Sequence, residues 1–277
     1  MIRWISPHHA RQLRLQTMRL WAQSWLLLGG CAIGVAGVVM ALGAAAAERV
    51  FARIIHPAPE IALVLTPIGF ASVAWITRKY FPNTEGSGIP QAIAARKLWG
   101  YNERARLVGL KLGIGKIALT LAGLLCGASI GREGPTVQVG ASIMFAIGRL
   151  SPARQPGLIL AGASAGIAAA FNTPLAGVIF GIEEMSRAFD ERTNGLTIGA
   201  IIAAGIVSLA ALGNYTYFGV SSADIGTASG WLAVPMCGVV GGLAGGLFSR
   251  ILVEVARGLP GALGPAIKRH PIWFAVI

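Results

Sequence analysis

Residues 20–47 read LWAQSWLLLGGCAIGVAGVVMALGAAAA and hold no charged side chain. A helix needs about 20 predominantly apolar residues to cross a bilayer, and this run exceeds that. On its N-terminal side, residues 1–19 carry Arg3, Arg11, Arg14 and Arg19 and no acid. A secretory signal is the competing reading, because Ala44–Ala47 resembles a small-residue cleavage site. The apolar core of such a signal is only about 7–15 residues long, so a retained first span is preferred, with its arginines cytoplasmic.

Working outward, a second span fits Ile61–Thr77 and ends at Arg78-Lys79. The loop 48–60 between the two spans has balanced charge. Two crossings return the chain to its starting side, so 78–106 is expected to be cytoplasmic. It carries Arg78, Lys79, Arg96, Lys97, Arg104 and Arg106, which agrees. Beyond it the apolar runs 86–95, 107–130, 134–148, 156–182, 193–223 and 225–249 are interrupted by Pro and Gly. Broken backbone is tolerated at membrane depth only where protein or a water-filled cavity satisfies it. Short, Gly/Pro-interrupted apolar segments point to a transporter's binding site.

Composition supports a polytopic membrane protein. Of 277 residues, 55% are hydrophobic and 12% charged, against about 25% charged in soluble domains. The 38 glycines have no collagen period. A net charge of +12 would suggest nucleic acid in a soluble protein, but cytoplasmic loops of membrane proteins accumulate Lys and Arg. Aromatic residues are not interleaved with the basic ones, so no nucleic-acid partner is expected. Cys31, Cys126 and Cys237 lie in apolar runs without a CxxC, and His8, His9, His56 and His270 lack ligand spacing. No metal and no cofactor are assigned. Gly113-Ile114-Gly115-Lys116 falls short of a phosphate loop, which needs Gly at position 110 and Ser or Thr at 117; Leu110 and Ile117 stand there. No Ser/His/Asp or Cys/His grouping is visible, so an enzyme is not expected.

Three short sequences share a grammar: Gly86-Ser87-Gly88-Ile89-Pro90, Gly131-Arg132-Glu133-Gly134-Pro135 and Phe171-Asn172-Thr173-Pro174. Each sets a polar capping residue shortly before a proline, with an apolar segment after it, as at helix N-termini. Helix starts present N–H groups and about half a positive charge. Several converging at mid-membrane would hold an anion without a full cation that grips it too tightly to release. Three ordinary helix starts are the blander reading. Glu133 is an acid inside an apolar region, a functional candidate by default. Ionised, it would occupy the anion position; protonated, it would vacate it. A cap or an ion pair with Arg132 is the alternative. Glu183-Glu184 ends the run 174–182 and is either a solvated helix end or a cytoplasmic proton-entry acid. Lys111 and Lys116 either line an aqueous vestibule or snorkel to the interface.

GSGIP at 86–90, GREGP at 131–135 and GASAGIAAAFNTPLAGVIFGIEEM at 162–185 resemble the CLC family of chloride channels and chloride/proton antiporters, in order and approximate spacing. The resemblance covers essentially all of the chain after the N-terminal tail. It implies an all-α, polytopic fold of two inverted repeats with tilted and broken helices. It implies a homodimer with a pore in each subunit, in the cell membrane, carrying chloride and protons. Ser87 then matches the serine that coordinates the central anion, with Gly88 beside it. Glu133 matches the gating, proton-carrying glutamate and Glu184 the internal proton glutamate of antiporters. Arg132 and Gly134 flank the outer anion site through their backbone. The serine of GSGIP resembles chloride-preferring members; the fluoride branch departs from both this motif and GREGP.

The expected organisation is a cytoplasmic tail over 1–19, membrane helices over 20–257, and over 258–277 a basic loop followed by the start of a helix. The second repeat's GxFxP-type motif and its anion-coordinating tyrosine are absent from the 277 residues, so half of the anion site is expected here. The expectation is the N-terminal portion of a chloride/proton antiporter. The alternatives are a passive chloride channel, and a non-transporting fragment or assembly subunit that supplies one repeat.

Overall fold

The computed structural model describes residues 7–150, 155–186, 194–213, 226–227 and 230–257, with isolated positions beyond. The described residues are predominantly helical, with no strand among them. They divide into two compact units, 1–217 and 218–277.

The first unit opens with α1 (Pro7–Ile55) and continues through α2 (Ala62–Tyr80), α3 (Ile89–Lys97), α4 (Tyr101–Val108) and α5 (Leu110–Leu125). Then come α6 (Glu133–Ile147), α7 (Gln155–Phe171), α8 (Pro174–Phe180), a π-helical turn (Gly181–Ser186) and α9 (Asn194–Leu212). The second unit holds α10 (Ala233–Arg257). Ser24–Ile55, Pro59–Tyr80, Tyr101–Leu125 and Gly230–Glu254 are long and apolar enough to cross a membrane.

Several expected boundaries move. Residues 7–19 are helical: α1 starts at Pro7 and runs unbroken into the apolar stretch. The expected loop 48–60 shrinks to the few residues around His56–Ala58, since α1 continues through Glu48, Arg49 and Arg53. At 49 residues and about 1.5 Å each, α1 is far longer than a bilayer is thick, so its charged ends extend past the apolar part. The suspected cleavage site is helix interior: Ala44 and Ala47 pack against Leu121 and Leu124 of α5. The stretch 78–106 is not a plain loop but holds α3 and α4. Most of 258–277 lies outside the described residues.

At the centre of the first unit stands α7. It is apolar on all sides, and Ile159, Ala161, Ala163, Ala165, Ala168 and Ala169 are all essentially inaccessible, as a helix surrounded by others must be. Small residues let its neighbours approach to backbone contact. A Cβ on Gly140 of α6 would collide with the Gly162 carbonyl of α7, and one on Gly162 with the Gly140 carbonyl. Further along, Gly166 faces Thr136 and Val137, while Gly148 faces Gln155. The two helices are therefore antiparallel. On the other flank α1 presents Gly30 to Ala200, Gly34 to Ala204 and Gly37 to Ala169. Without a hydrophobic force between helices in lipid, such close contact of small residues is what drives their association.

Candidate functional site

The segment before α3 is shaped by backbone that a side chain would resist. Gly86 and Gly88 have φ of 69° and 98°, and Gly88, which precedes the helix, is buried. A Cβ there would sit 2.7 Å from Gln138 Cβ and 3.1 Å from the Gly134 carbonyl. Pro90 follows in the first turn, where its missing N–H is harmless. Ser87 is exposed, and its hydroxyl accepts a hydrogen bond from the Ile89 N–H at 3.3 Å. The expected cap is thus displaced by one residue: Gly88 occupies the cap position without a side chain of its own, and the Ser87 hydroxyl before it takes the first helical N–H.

Helix α6 begins at Glu133 itself, with Arg132 before it and no side-chain cap bond. The Thr136 hydroxyl donates back to the carbonyls of Arg132 at 2.6 Å and Glu133 at 2.9 Å. Arg132, Glu133 and Gly134 are half-buried, and the Glu133 carboxylate folds over Gly131. The two helix starts touch. A Cβ on Gly134 would lie 2.6 Å from the Ser87 carbonyl oxygen and 2.9 Å from Ser87 Cβ. Ser87 and Gly88, just before α3, therefore lie against Gly134 in the first turn of α6, some 46 residues away in sequence, so that the two helix starts, with Glu133 at one of them, share one place.

The third proline motif behaves differently. Thr173 precedes α8 in extended backbone and makes no side-chain cap bond. Asn172 takes a positive φ of 57° and donates through Nδ2 to the Gly213 carbonyl at 3.0 Å, while Pro174 abuts Gly205 of α9. This motif serves the junction of α7, α8 and α9. Gly177 of α8 and Gly181, which opens the turn after it, lie against Ser164 of α7, and Gly181 also faces Leu160, so α8 runs antiparallel to α7. It ends in the π-helical turn, on which Glu183 and Glu184 are exposed. The Arg96 guanidinium, in the last turn of α3, donates to the Met185 carbonyl. Helix α3 thus has Ser87 and the α6 start at one end and the turn bearing Glu184 at the other. Nine residues at about 1.5 Å put roughly 13 Å between its ends.

Two polar residues behind Ser87 have a larger part than their sequence context suggested. Lys116 neither lines a vestibule nor snorkels: it is 4% exposed, and Nζ donates to the Thr84 carbonyl at 2.7 Å and to the Gly86 carbonyl. Gln138 is fully buried and donates from Nε2 to the carbonyls of Asn83 at 3.0 Å and Leu107 at 2.9 Å. A lysine in an apolar run was the available signal for the first. Gln138 had only its place one turn after GREGP. Lys111 is exposed, with its ammonium 5.7 Å from the Phe81 ring centroid, the geometry of a cation over an aromatic face.

Comparison with known proteins places this arrangement. The chain is similar in fold to three solved structures. A slow cyanobacterial Cl-/H+ antiporter is 24% identical with a TM-score of 0.73, over 92% of this chain and 61% of that one. A CLC-type fluoride/proton antiporter is 23% identical with a TM-score of 0.65, over 98% of this chain and 63% of that one. A eukaryotic CLC transporter is 20% identical with a TM-score of 0.70, over 94% of this chain and 49% of that one. The chain therefore spans from about half to less than two thirds of the length of these structures. The family model described as voltage gated chloride channel matches residues 68–277, which include both touching helix starts and the Glu184 turn. This chain belongs to the voltage gated chloride channel family, the CLC family.

Proposed function

We propose that the protein exchanges chloride for protons across the cell membrane, with Glu133 as gate and proton carrier and Glu184 as the internal proton acid. The observation that carries this reading is the contact between the starts of α3 and α6, where Gly134 lies against Ser87. Two helix N-termini aimed at one point attract an anion through oriented dipoles and N–H groups. Dipoles release it again more readily than a bonded ammonium would. Ser87 adds a hydroxyl, and Gly88, Arg132 and Gly134 contribute backbone. Glu133 is the first residue of α6, so its carboxylate competes with chloride for the same positive potential. Protonation removes its charge and with it the competition. That exchange is what ties proton movement to anion movement.

Glu184 stands exposed on the turn that the far end of α3 reaches through Arg96. An acid there suits a separate proton entry from the N-terminal side of the membrane. The assembly is a homodimer in the bilayer, as the CLC resemblance implies. Fluoride is disfavoured as the substrate, because both GSGIP and GREGP are intact.

The test uses the full-length protein in liposomes, with chloride efflux and proton uptake followed together. Glu133→Gln, which mimics the protonated gate, should keep chloride flux, lose its pH dependence and move no protons. Glu184→Gln should also abolish proton uptake and retain chloride flux. Proton pumping by Glu133→Gln against a gradient would refute the gating role. Wild-type chloride flux without protons would replace the exchanger by a passive channel.

A further inference from the structure

We propose that Lys116, Gln138 and Gln91 form a bracket that orients the peptide groups of residues 83–86, and that this orientation, rather than the Ser87 hydroxyl alone, sets anion selectivity. The proposal rests on the chloride site proposed at Ser87.

Four consecutive carbonyls before α3 each accept a hydrogen bond from a side chain. Gln138 Nε2 takes Asn83, Lys116 Nζ takes both Thr84 and Gly86, and Gln91 Nε2 takes Glu85 at 2.6 Å. The donors come from three helices: α6, α5 and α3. Asn83 is fastened further by its own Nδ2, which donates to the Arg106 carbonyl at 2.9 Å. This segment is neither helix nor strand, so it lacks a ladder to fix its peptides. Three side chains do it instead, and all four of their hydrogen bonds engage the carbonyl end. Among the described residues, the N–H groups of Gly86, Ser87 and Gly88 make no hydrogen bond.

The electrostatic consequence is directional. A carbonyl oxygen facing an anion repels it, and an N–H attracts it. With the oxygens of 83–86 committed to side-chain donors and the Thr84 N–H to the Phe81 carbonyl, the peptide groups left to face an anion beside Ser87 are the N–H groups of Gly86, Ser87 and Gly88, next to the positive end of α3. Two positive-φ glycines allow the chain to reverse while keeping those groups outward. Small anions differ in how strongly they reward ordered donors, so the ordering of these peptides discriminates among them. A released carbonyl could rotate outward and penalise chloride, the most localised charge, more than nitrate. Lys116, Gln138 and Gln91 are positioning residues on this account, because they do not reach the anion themselves.

The experiment measures chloride and nitrate flux in competition, using the full-length protein in liposomes, beside thermal unfolding of each variant. Lys116→Met should raise the nitrate-to-chloride flux ratio roughly five-fold, the factor that corresponds to about one net hydrogen bond. Lys116→Arg, which keeps donors and charge, should restore most of the wild-type ratio. A purely structural role would lower the flux of both anions together and leave the ratio alone; that outcome in folded Lys116→Met overturns the bracket. Should Lys116→Met yield no folded protein, Gln91→Leu, which frees only the Glu85 carbonyl, decides by the same ratio. Ser87→Gly serves as the separate arm. If it leaves the ratio unmoved, the chloride site at Ser87 is wrong; if it shifts the ratio while the bracket variants do not, only the bracket is wrong.

Discussion

Gly134 has no room for a methyl group, because the atom it would meet at 2.6 Å is the backbone oxygen of Ser87. A flexible side chain could swing away; a carbonyl at a helix start cannot. Overpacking of this kind costs about 1–3 kcal/mol. In Gly134→Ala the two helix starts must separate by several tenths of an ångström, and both donor sets lose their shared focus. We predict that the chloride concentration for half-maximal flux rises about ten-fold, the equivalent of 1.4 kcal/mol, while the protein still folds. Flux titration of the purified variant checks this, and an unchanged midpoint would mean that the contact is incidental. Glycines in GSGIP and GREGP were legible as places of close approach. Which backbone each one approaches was not, because the residues that meet, Ser87 before α3 and Gly134 in α6, are separated in sequence by all of α3, α4 and α5.

Among the elements, α6 and α7 carry the tightest contact, and the site depends on it because α6 presents Glu133. Gly140 and Gly162 bring the two backbones together, each facing the other's carbonyl. Gly162→Val should force the helices apart and destabilise the protein by roughly 3 kcal/mol or more, at the upper end of overpacking effects, since neither facing backbone can yield. Thermal unfolding in detergent reads this out; a shift of less than a degree or two would show that the interface is softer than its geometry. A conservative change on the lipid-facing side of α2, such as Leu63→Ile at 79% exposure, is the control that should leave stability unaltered. Helix existence was plain from the apolar runs and from Pro and Gly placement. Boundaries were less so: the charges at Glu48, Arg49 and Arg53 suggested a loop, yet α1 continues through them. Charged residues are good helix formers once they lie beyond the apolar zone, so charge marks where the membrane stops rather than where the helix stops.

For the whole molecule, α1 and α2 are each long and apolar enough to cross once; if both do, the start of α1 and the α3–α4 region share a side and His56 faces the other. From the basic residues of 1–19 and 78–106 we predict that the shared side is cytoplasmic. In a cysteine-free background, Trp99→Cys and Gln12→Cys should label with an impermeant thiol reagent only after the cells are opened, and His56→Cys should label from outside. Labelling of position 99 in intact cells would invert the topology. Trp99 is 94% exposed, so access is not limited by burial. The residues alone determined that the protein is helical and membrane-spanning, because a chain with 55% hydrophobic and 12% charged residues has too few polar groups to cover a water-facing surface. They also marked the helix starts, since proline and glycine act on the backbone locally, wherever the rest of the chain goes. What only the tertiary structure decided is which starts meet. Those of α3 and α6 touch, whereas the Asn172–Pro174 start is committed to α9. It also turned Lys116 from a surface-seeking cation into a buried donor to the chain before Ser87. Both outcomes follow from contacts between distant segments, and a close approach of backbones is a property of packed helices that no local pattern contains.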